Sequence, residues 1–328
     1  MRIPPVSNSF FRNLASLIEY GRLESEVTLE QASFASRANL SPLLFYYLKR
    51  SQLLNSLDER VKRGLYRDFV MAGADYLFTG EQVTYLNNFF NQIQVPVMAF
   101  KGIYTRRFYP DPLLRLMGDY DFLIKGEDRV RLSNKMLENG FVIVKTGRNF
   151  LERIGAEITF RGPDKWKLID IHYRLFQRFR YTLDESEIWK RAHRVNEFFF
   201  YPSPEDQFVI TVIHLIKDAF TLPLSGLMDL YYLYMSNLDM DYIEFQVKKA
   251  GVERGFSTVV YLMNELLGVN VKTKITGRIF DIEFFREEKF SGFQRYSYAL
   301  STIGKPLNKI LFTGAYLVLG GIDLVSEK

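Results

Sequence analysis

The sequence has no cysteine. That absence removes disulfides, thiolate zinc sites, iron–sulfur clusters and cysteine nucleophiles together, and it suits a reducing, cytoplasmic setting. With 3 histidines in 328 residues, an imidazole-rich metal centre is excluded in practice, so any metal is expected to be a hard cation held by carboxylate oxygens. No integral membrane segment is visible, since a span needs about 18–20 apolar residues. The longest tempting run, Ile310 to Ile322, has 13 residues without a charge and is interrupted by Gly314, Gly320 and Gly321. It reads as a buried terminal helix. The N-terminus lacks the apolar run and small-residue cleavage site of a signal peptide.

What is present is ordinary for a globular chain, with 47% hydrophobic and 25% charged residues. The 29 Phe and 20 Tyr suggest thick cores, and the length leaves room for roughly two domains. The formal charge of +5 is unevenly spread: residues 96–180 hold 17 Lys and Arg against 10 Asp and Glu, while the rest of the chain nets −2. A local positive field of that kind favours anionic partners such as nucleotides, phosphorylated metabolites or nucleic acid.

The pattern divides the chain into an N-terminal helical region (1–92), a strand-rich core (93–180) and a C-terminal helical region (181–328). In the first region, Leu14, Leu17 and Ile18 form a helical stripe. Ser41-Pro42 reads as an N-cap with Pro at the first helical position, and a long helix is expected from about Asp58 to Phe90 with a break near Gly80. From Pro96 the signal changes to short strands at Val97–Phe100, Tyr120–Ile124, Phe141–Val144, Glu157–Phe160 and Trp166–Tyr173. One helix, stopped by Gly140, lies among them. The expected class is therefore α+β, a small mixed sheet flanked by helices. After Arg180 helices return, the clearest start being Ser203-Pro204-Glu205-Asp206.

The segment Gly118-Asp119-Tyr120-Asp121-Phe122-Leu123-Ile124 carries the strongest chemical signal. Residues two apart in a strand share a face, so Asp119 and Asp121 project together, opposite Tyr120, Phe122 and Ile124. Paired carboxylates repel unless a cation lies between them, and oxygen-only ligation suits Mg²⁺. The same pattern also fits a solvated strand end. Asp170 interrupts another apolar strand and shares its face with Leu168 and His172. Its partner would be the Asp119/Asp121 metal site or an arginine such as Arg174 or Arg178. His172 and His214 are each candidates for a role beside the substrate or for simple packing, and His193, among basic neighbours, reads as a surface residue. Tyr231, Tyr232 and Tyr234 read as helix packing rather than a base platform.

In order and spacing, Ala99-Phe100-Lys101-Gly102, Tyr109-Pro110, Arg115, Gly118-Asp119-Tyr120-Asp121, Ile169-Asp170-Ile171-His172, His214 to Lys217 and Met228-Asp229 resemble the signature of the uncharacterised nucleotidyltransferase family, within the polymerase β-like nucleotidyltransferase superfamily. The resemblance covers about residues 95–235. It implies transfer of a nucleoside monophosphate from an NTP to a hydroxyl acceptor, with Asp119, Asp121 and Asp170 as catalytic metal ligands for two Mg²⁺ (or Mn²⁺) ions. Lys101, Gly102, Arg115, Gly118 and Lys217 would contact the nucleotide. The acceptor could be a small molecule, a protein or RNA. One departure stands out: the superfamily's Gly-Ser pair is here Gly102-Ile103, so the serine contact to phosphate is missing. That departure and the basic middle segment leave a second reading, a non-catalytic nucleotide- or RNA-binding protein that keeps the fold. The spacing of Asp170 from Asp119 and Asp121 in three dimensions discriminates between the two.

Overall fold

The structure, a computed structural model, describes residues 3–145, 156–163, 166–176, 180–221, 224–280 and 292–318. Its centre is a seven-stranded mixed sheet: β1 (Val97–Ala99), β2 (Asp119–Ile124), β3 (Val142–Lys145), β4 (Glu157–Arg161), β5 (Leu168–His172), β6 (His193–Arg194) and β7 (Phe199–Tyr201). The spatial order is β3-β4-β5-β2-β1-β7-β6. β2 runs parallel to β5 and β1 parallel to β7, and the other neighbours are antiparallel.

Alternation along the strands gives the sheet two different faces. Tyr120, Phe122 and Ile124 are buried in one apolar layer with Ile158, Phe160, Ile169 and Ile171 from β4 and β5. That layer is closed by Leu86, Phe89 and Phe90 of the helix Glu59–Gln92 and by Leu132 and Met136 of the helix Arg129–Glu138. At about 1.5–3 kcal/mol for each large side chain removed from water, this face anchors the register of β2 and β5. A slip by one residue would drive Asp119 and Asp121 into the apolar layer.

The opposite face contributes Met98, Phe100 and Leu123 to a second, larger core. There it meets the helix Pro204–Lys217, whose residues from Asp206 to Ile213 are all buried. The N-terminal helices share this core: Tyr47 and Tyr232 join hydroxyls at 3.1 Å, and Phe10, Phe11 and Leu14 pack in the same cluster as Phe256 and Val259.

Several local expectations hold. Ser203 caps its helix by accepting from the Asp206 N–H at 3.1 Å, with Pro204 at the first position. Gly140 takes φ +82, a left-handed conformation that glycine adopts without cost. Tyr231 and Tyr232 pack in the core, and His193 is exposed on β6.

Other expectations are corrected. The helix Glu59–Gln92 runs unbroken through Gly80, because Thr79, Gln82 and Leu86 are buried on one side of it and packing outweighs the ~1 kcal/mol that a mid-helix glycine costs. Ser41 is already inside its helix; Leu40 holds the cap position and the Ser41 hydroxyl is buried without a hydrogen-bond partner. Beyond Arg180 the chain is not purely helical, since β6 and β7 return to extend the sheet beside β1. The helix Pro306–Val318 covers part of the Ile310–Ile322 run, whose residues 319–322 lie outside the described residues. Among the described residues, no helix is long and apolar enough to cross a membrane.

Candidate active site

The site is built where β1 turns into its following helix. Lys101, two residues after the end of β1, has φ +49 and ψ −130. A non-glycine residue in that region costs of order 1–3 kcal/mol and persists only where its surroundings hold it. Two contacts do so. The Lys101 N–H donates to Gln207 Oε1 at 3.0 Å, from a fully buried glutamine on the helix Pro204–Lys217, and Lys101 Nζ donates to Asp121 Oδ1 at 2.6 Å. The strained corner thus aims an ammonium at the sheet's polar face.

That face carries the acids. In the parallel pairing of β2 with β5, Asp121 is the register partner of Asp170, and Leu123 that of His172. In the antiparallel pairing of β5 with β4, Asp170 stands opposite Thr159 and His172 opposite Glu157. Asp121 and Asp170 are 3% and 8% exposed, whereas Asp119 at the strand start is only partly buried. Thr159 Oγ1 donates to Asp170 Oδ1 at 2.7 Å, and His172 Nε2 lies 3.1 Å from Asp121 Oδ1. On the other side of the ring, a Glu157 carboxylate oxygen is 3.3 Å from Nδ1, which makes no hydrogen bond.

The electrostatics follow from that crowding. Burial opposes the charged form of Asp121, but the ammonium of Lys101 and the His172 ring beside it outweigh burial and hold the carboxyl far below the usual range. Burial also opposes charge on Lys101, yet Asp121 and Asp119 raise it above its ordinary value. Asp170 goes the other way: burial, then the negative charges of Glu157 and Asp121, push it up to about 6. For His172, burial is likewise offset by Glu157 and Asp121, and its basicity rises. The set is short of positive charge around Asp170.

The helix Pro204–Lys217 supplies the facing wall. His214 Nδ1 is 2.9 Å from Asp218 Oδ2; partial burial, followed by the nearby Lys101 charge, lowers the basicity of His214, whereas Asp218, whose side chain is exposed, is held well below the carboxylate range by His214 and Lys217. Lys217 and Glu157 line one recess with Arg180. Arg180 is 4% exposed, and among the described residues its Nε and Nη2 atoms have no hydrogen-bond partner. Arg180 and Lys217 thus bring two cations to the recess beside Glu157.

The remaining sequence candidates are distributed as follows. Arg115 is buried and makes a bidentate pair with Asp229, through Nε at 2.7 Å and Nη2 at 2.8 Å, and Tyr109 Oη donates to the same carboxylate at 2.9 Å. These three positions come together as a strut beneath the segment that leads to Asp119. Gly118 is exposed one residue before β2. Gly102 is buried, and a Cβ there would come within 2.7 Å of Met117 Cγ, so the absence of a side chain lets β1's turn lie against the chain entering β2. Of the arginines weighed as partners of Asp170, Arg178 lies outside the described residues, and Thr159 takes the bonding position.

Whether these residues fit a divalent cation turns on the donors. Asp119, Asp121 and Asp170 offer hard oxygen only, and Asp170 is pushed up first by burial and then by the charges of Glu157 and Asp121. The donor set fits Mg²⁺. Among the described residues, no group of three or more acidic or histidine side chains is already gathered in metal-binding positions, and Lys101 supplies the charge at Asp121.

Glu157, Thr159, Gln207, Arg180 and Asp218 belong to this site and were not singled out from the sequence. Glu157 and Thr159 could have been, because they occupy alternate positions of the strand Glu157-Ile158-Thr159-Phe160 and so share the acid face. Arg180 gives no local signal that separates it from Arg174 or Arg178.

The mixed sheet thus gathers acidic residues on one face, against the helix Pro204–Lys217, with Lys101 among them. The model of a family described as uncharacterised nucleotidyltransferase matches residues 30–268, well over half of the chain, and the protein belongs to that family. No curated protein matches its sequence.

Proposed function

We propose that the protein is a divalent-metal-dependent enzyme that transfers a nucleoside monophosphate from an NTP to a hydroxyl acceptor. The observation that carries this reading is the register of Asp121 with Asp170 on adjacent parallel strands. A protein that only bound nucleotides would have no need of two buried acids side by side, one of them pushed up to about 6.

In this reading Asp119, Asp121 and Asp170 hold Mg²⁺ or Mn²⁺, which supplies charge neutralisation at the phosphates and acidifies the attacking hydroxyl. Arg180 and Lys217 line the recess beside Glu157, where triphosphate oxygens would need counter-charge, and Lys101 donates to Asp121. The acceptor oxygen forms a bond to the α-phosphorus as the bond to the β-phosphate oxygen breaks. Pyrophosphate leaves, and the hydroxyl proton passes to a carboxylate of the set. His172, 3.1 Å from Asp121, orients the Asp121 carboxylate, and Asp170, the more basic of the two, is the one suited to take the proton. Because Gly102 is followed by Ile103, phosphate contacts come from cations and backbone rather than a serine hydroxyl.

The test is label transfer from α-labelled NTPs in the presence of Mg²⁺ and cell extract, which also reveals whether the acceptor is a small molecule, a protein or RNA. Transfer by the wild-type protein and its loss in Asp119→Ala and Asp121→Ala is the expected result. Unchanged transfer in both variants would sink the assignment.

A further inference from the structure

A second pocket lies at the far side of the sheet, beyond β1. It is an open cavity of about 700 Å³, lined by Tyr104, Arg107, Phe108, His193, Arg194 and Tyr201. Tyr201 is on β7 and His193 and Arg194 on β6, two and three strands away from Asp121 on β2. No acidic side chain lines the pocket.

Its polar groups are unspent. The Arg107 guanidinium sits 4.8 Å from the centre of the Tyr201 ring and 5.8 Å from that of Tyr104, and it forms no ion pair among the described residues. Tyr104 is 4% exposed, yet among the described residues neither its hydroxyl nor that of Tyr201 has a hydrogen-bond partner. Burial pushes Tyr104 up to about 12, so the hydroxyl keeps its proton and can donate. Arg194 donates Nε only to the Asn196 carbonyl of its own turn, at 3.0 Å. Glu205, whose charge reaches Tyr104, is already paired with Arg191.

Two guanidinium groups without an acidic partner among the described residues, on the wall of one cavity, give it a positive lining that favours an anionic ligand. Planar guanidinium groups and phenol hydroxyls match the oxygens of a phosphate ester, and the Arg107 guanidinium lying over the Tyr201 ring, with Phe108 on the same wall, gives the cavity planar groups that can stack on a ring. The volume is within the usual range for a small-molecule site, about 300–1,000 Å³. We propose that this pocket is a second ligand site, which takes a phosphate ester carried on a planar ring, a compound of mononucleotide size, through Arg107, Arg194, Tyr104 and Tyr201. Guanidinium groups supply the counter-charge, so the site works without a divalent cation.

Titration of the full-length protein with adenosine 5′-monophosphate in EDTA tests this, read by calorimetry. Binding is expected, weakened about tenfold or more in Arg107→Gln, as loss of a charge-assisted contact implies. Arg194→Gln and Tyr201→Phe weaken it by smaller factors. Asp121→Asn, whose site lies two strands away, leaves it unchanged. Adenosine and inorganic phosphate, each lacking half of the ligand, bind at least about tenfold more weakly. No binding at millimolar concentration overturns the proposal, as does wild-type affinity in Arg107→Gln or adenosine binding as tightly as the monophosphate. Arg107, His193 and Arg194 are exposed, so these variants are expected to fold, with melting temperature as the control. The readout is metal-free binding, so failure of the transfer reaction in Asp121→Ala does not affect it.

Discussion

Cutting the Arg115–Asp229 pair tests whether these residues form a structural strut. The Asp229 side chain is 3% exposed and that of Arg115 12%. The carboxylate accepts two bonds from the guanidinium and a third from Tyr109. Burial opposes charge on Arg115, but Asp229 more than offsets it and raises its basicity. Asp229→Ala removes the acid while leaving a desolvated guanidinium and a phenol whose next acceptor, the Ser225 carbonyl, is 3.5 Å away. Removing one partner of a buried ion pair costs about 3–5 kcal/mol. Replacing both charges with apolar groups of similar size, Arg115→Met with Asp229→Leu, leaves no uncompensated charge and is expected to cost less than about 2 kcal/mol. With Arg115→Met and Asp229→Leu as the single variants, the coupling between the two sites should then be about 4 kcal/mol or more. Urea unfolding followed by far-UV circular dichroism measures each corner of the cycle. A cost below about 1 kcal/mol for Asp229→Ala would refute the reasoning, as would a double variant that loses the sum of the two single losses.

Two further outcomes concern the site itself. Because Asp170 is pushed from an ordinary 3.8 up to about 6, its charged form is disfavoured in the folded protein, so without metal the wild type loses stability as pH rises through that window, by about 3 kcal/mol in all. Asp170→Asn, which keeps an acceptor for Thr159, should therefore gain on the wild type between pH 4 and 7 in EDTA. A difference between the two proteins that stays flat over that range would count against the assignment. Gly102→Ala places a Cβ 2.7 Å from Met117 Cγ and 2.8 Å from its Sδ, an overpacking worth about 1–3 kcal/mol. The loss should largely vanish in a Met117→Ala background. Equal drops in melting temperature in both backgrounds would show that Gly102 is required for another reason.

The α+β class, the central strands and the shared face of Asp119 and Asp121 were legible in the sequence because they depend on local periodicity. A period of two places Tyr120, Phe122 and Ile124 opposite the acids whatever the strand packs against. Cap signals at Ser203-Pro204 and the glycine stop at Gly140 were legible for the same reason. The Ser41 and Gly80 readings went astray because tertiary burial overrode local preference at both positions. β6 and β7, two and three residues long, carry no period of their own and, unlike β1 with its Pro96 and Lys101-Gly102 boundaries, are not marked by turn signals at both ends; they exist by pairing with β1 and each other.

The sequence by itself thus determined the residue types, the strand alternation and the order of motifs, all of which are local properties of the chain. Only the tertiary structure decided which residues meet. The pairing of β2 with β5 brings Asp121 beside Asp170 across 49 residues of sequence. Lys101 is held at Asp121 by a strained turn and by Gln207, 106 residues further along. Arg115 is committed to Asp229 at a distance of 114 residues, and Arg180 is left with unused donors beside Lys217. Charge compensation inside a protein depends on distance and burial, and neither can be read until the chain has folded.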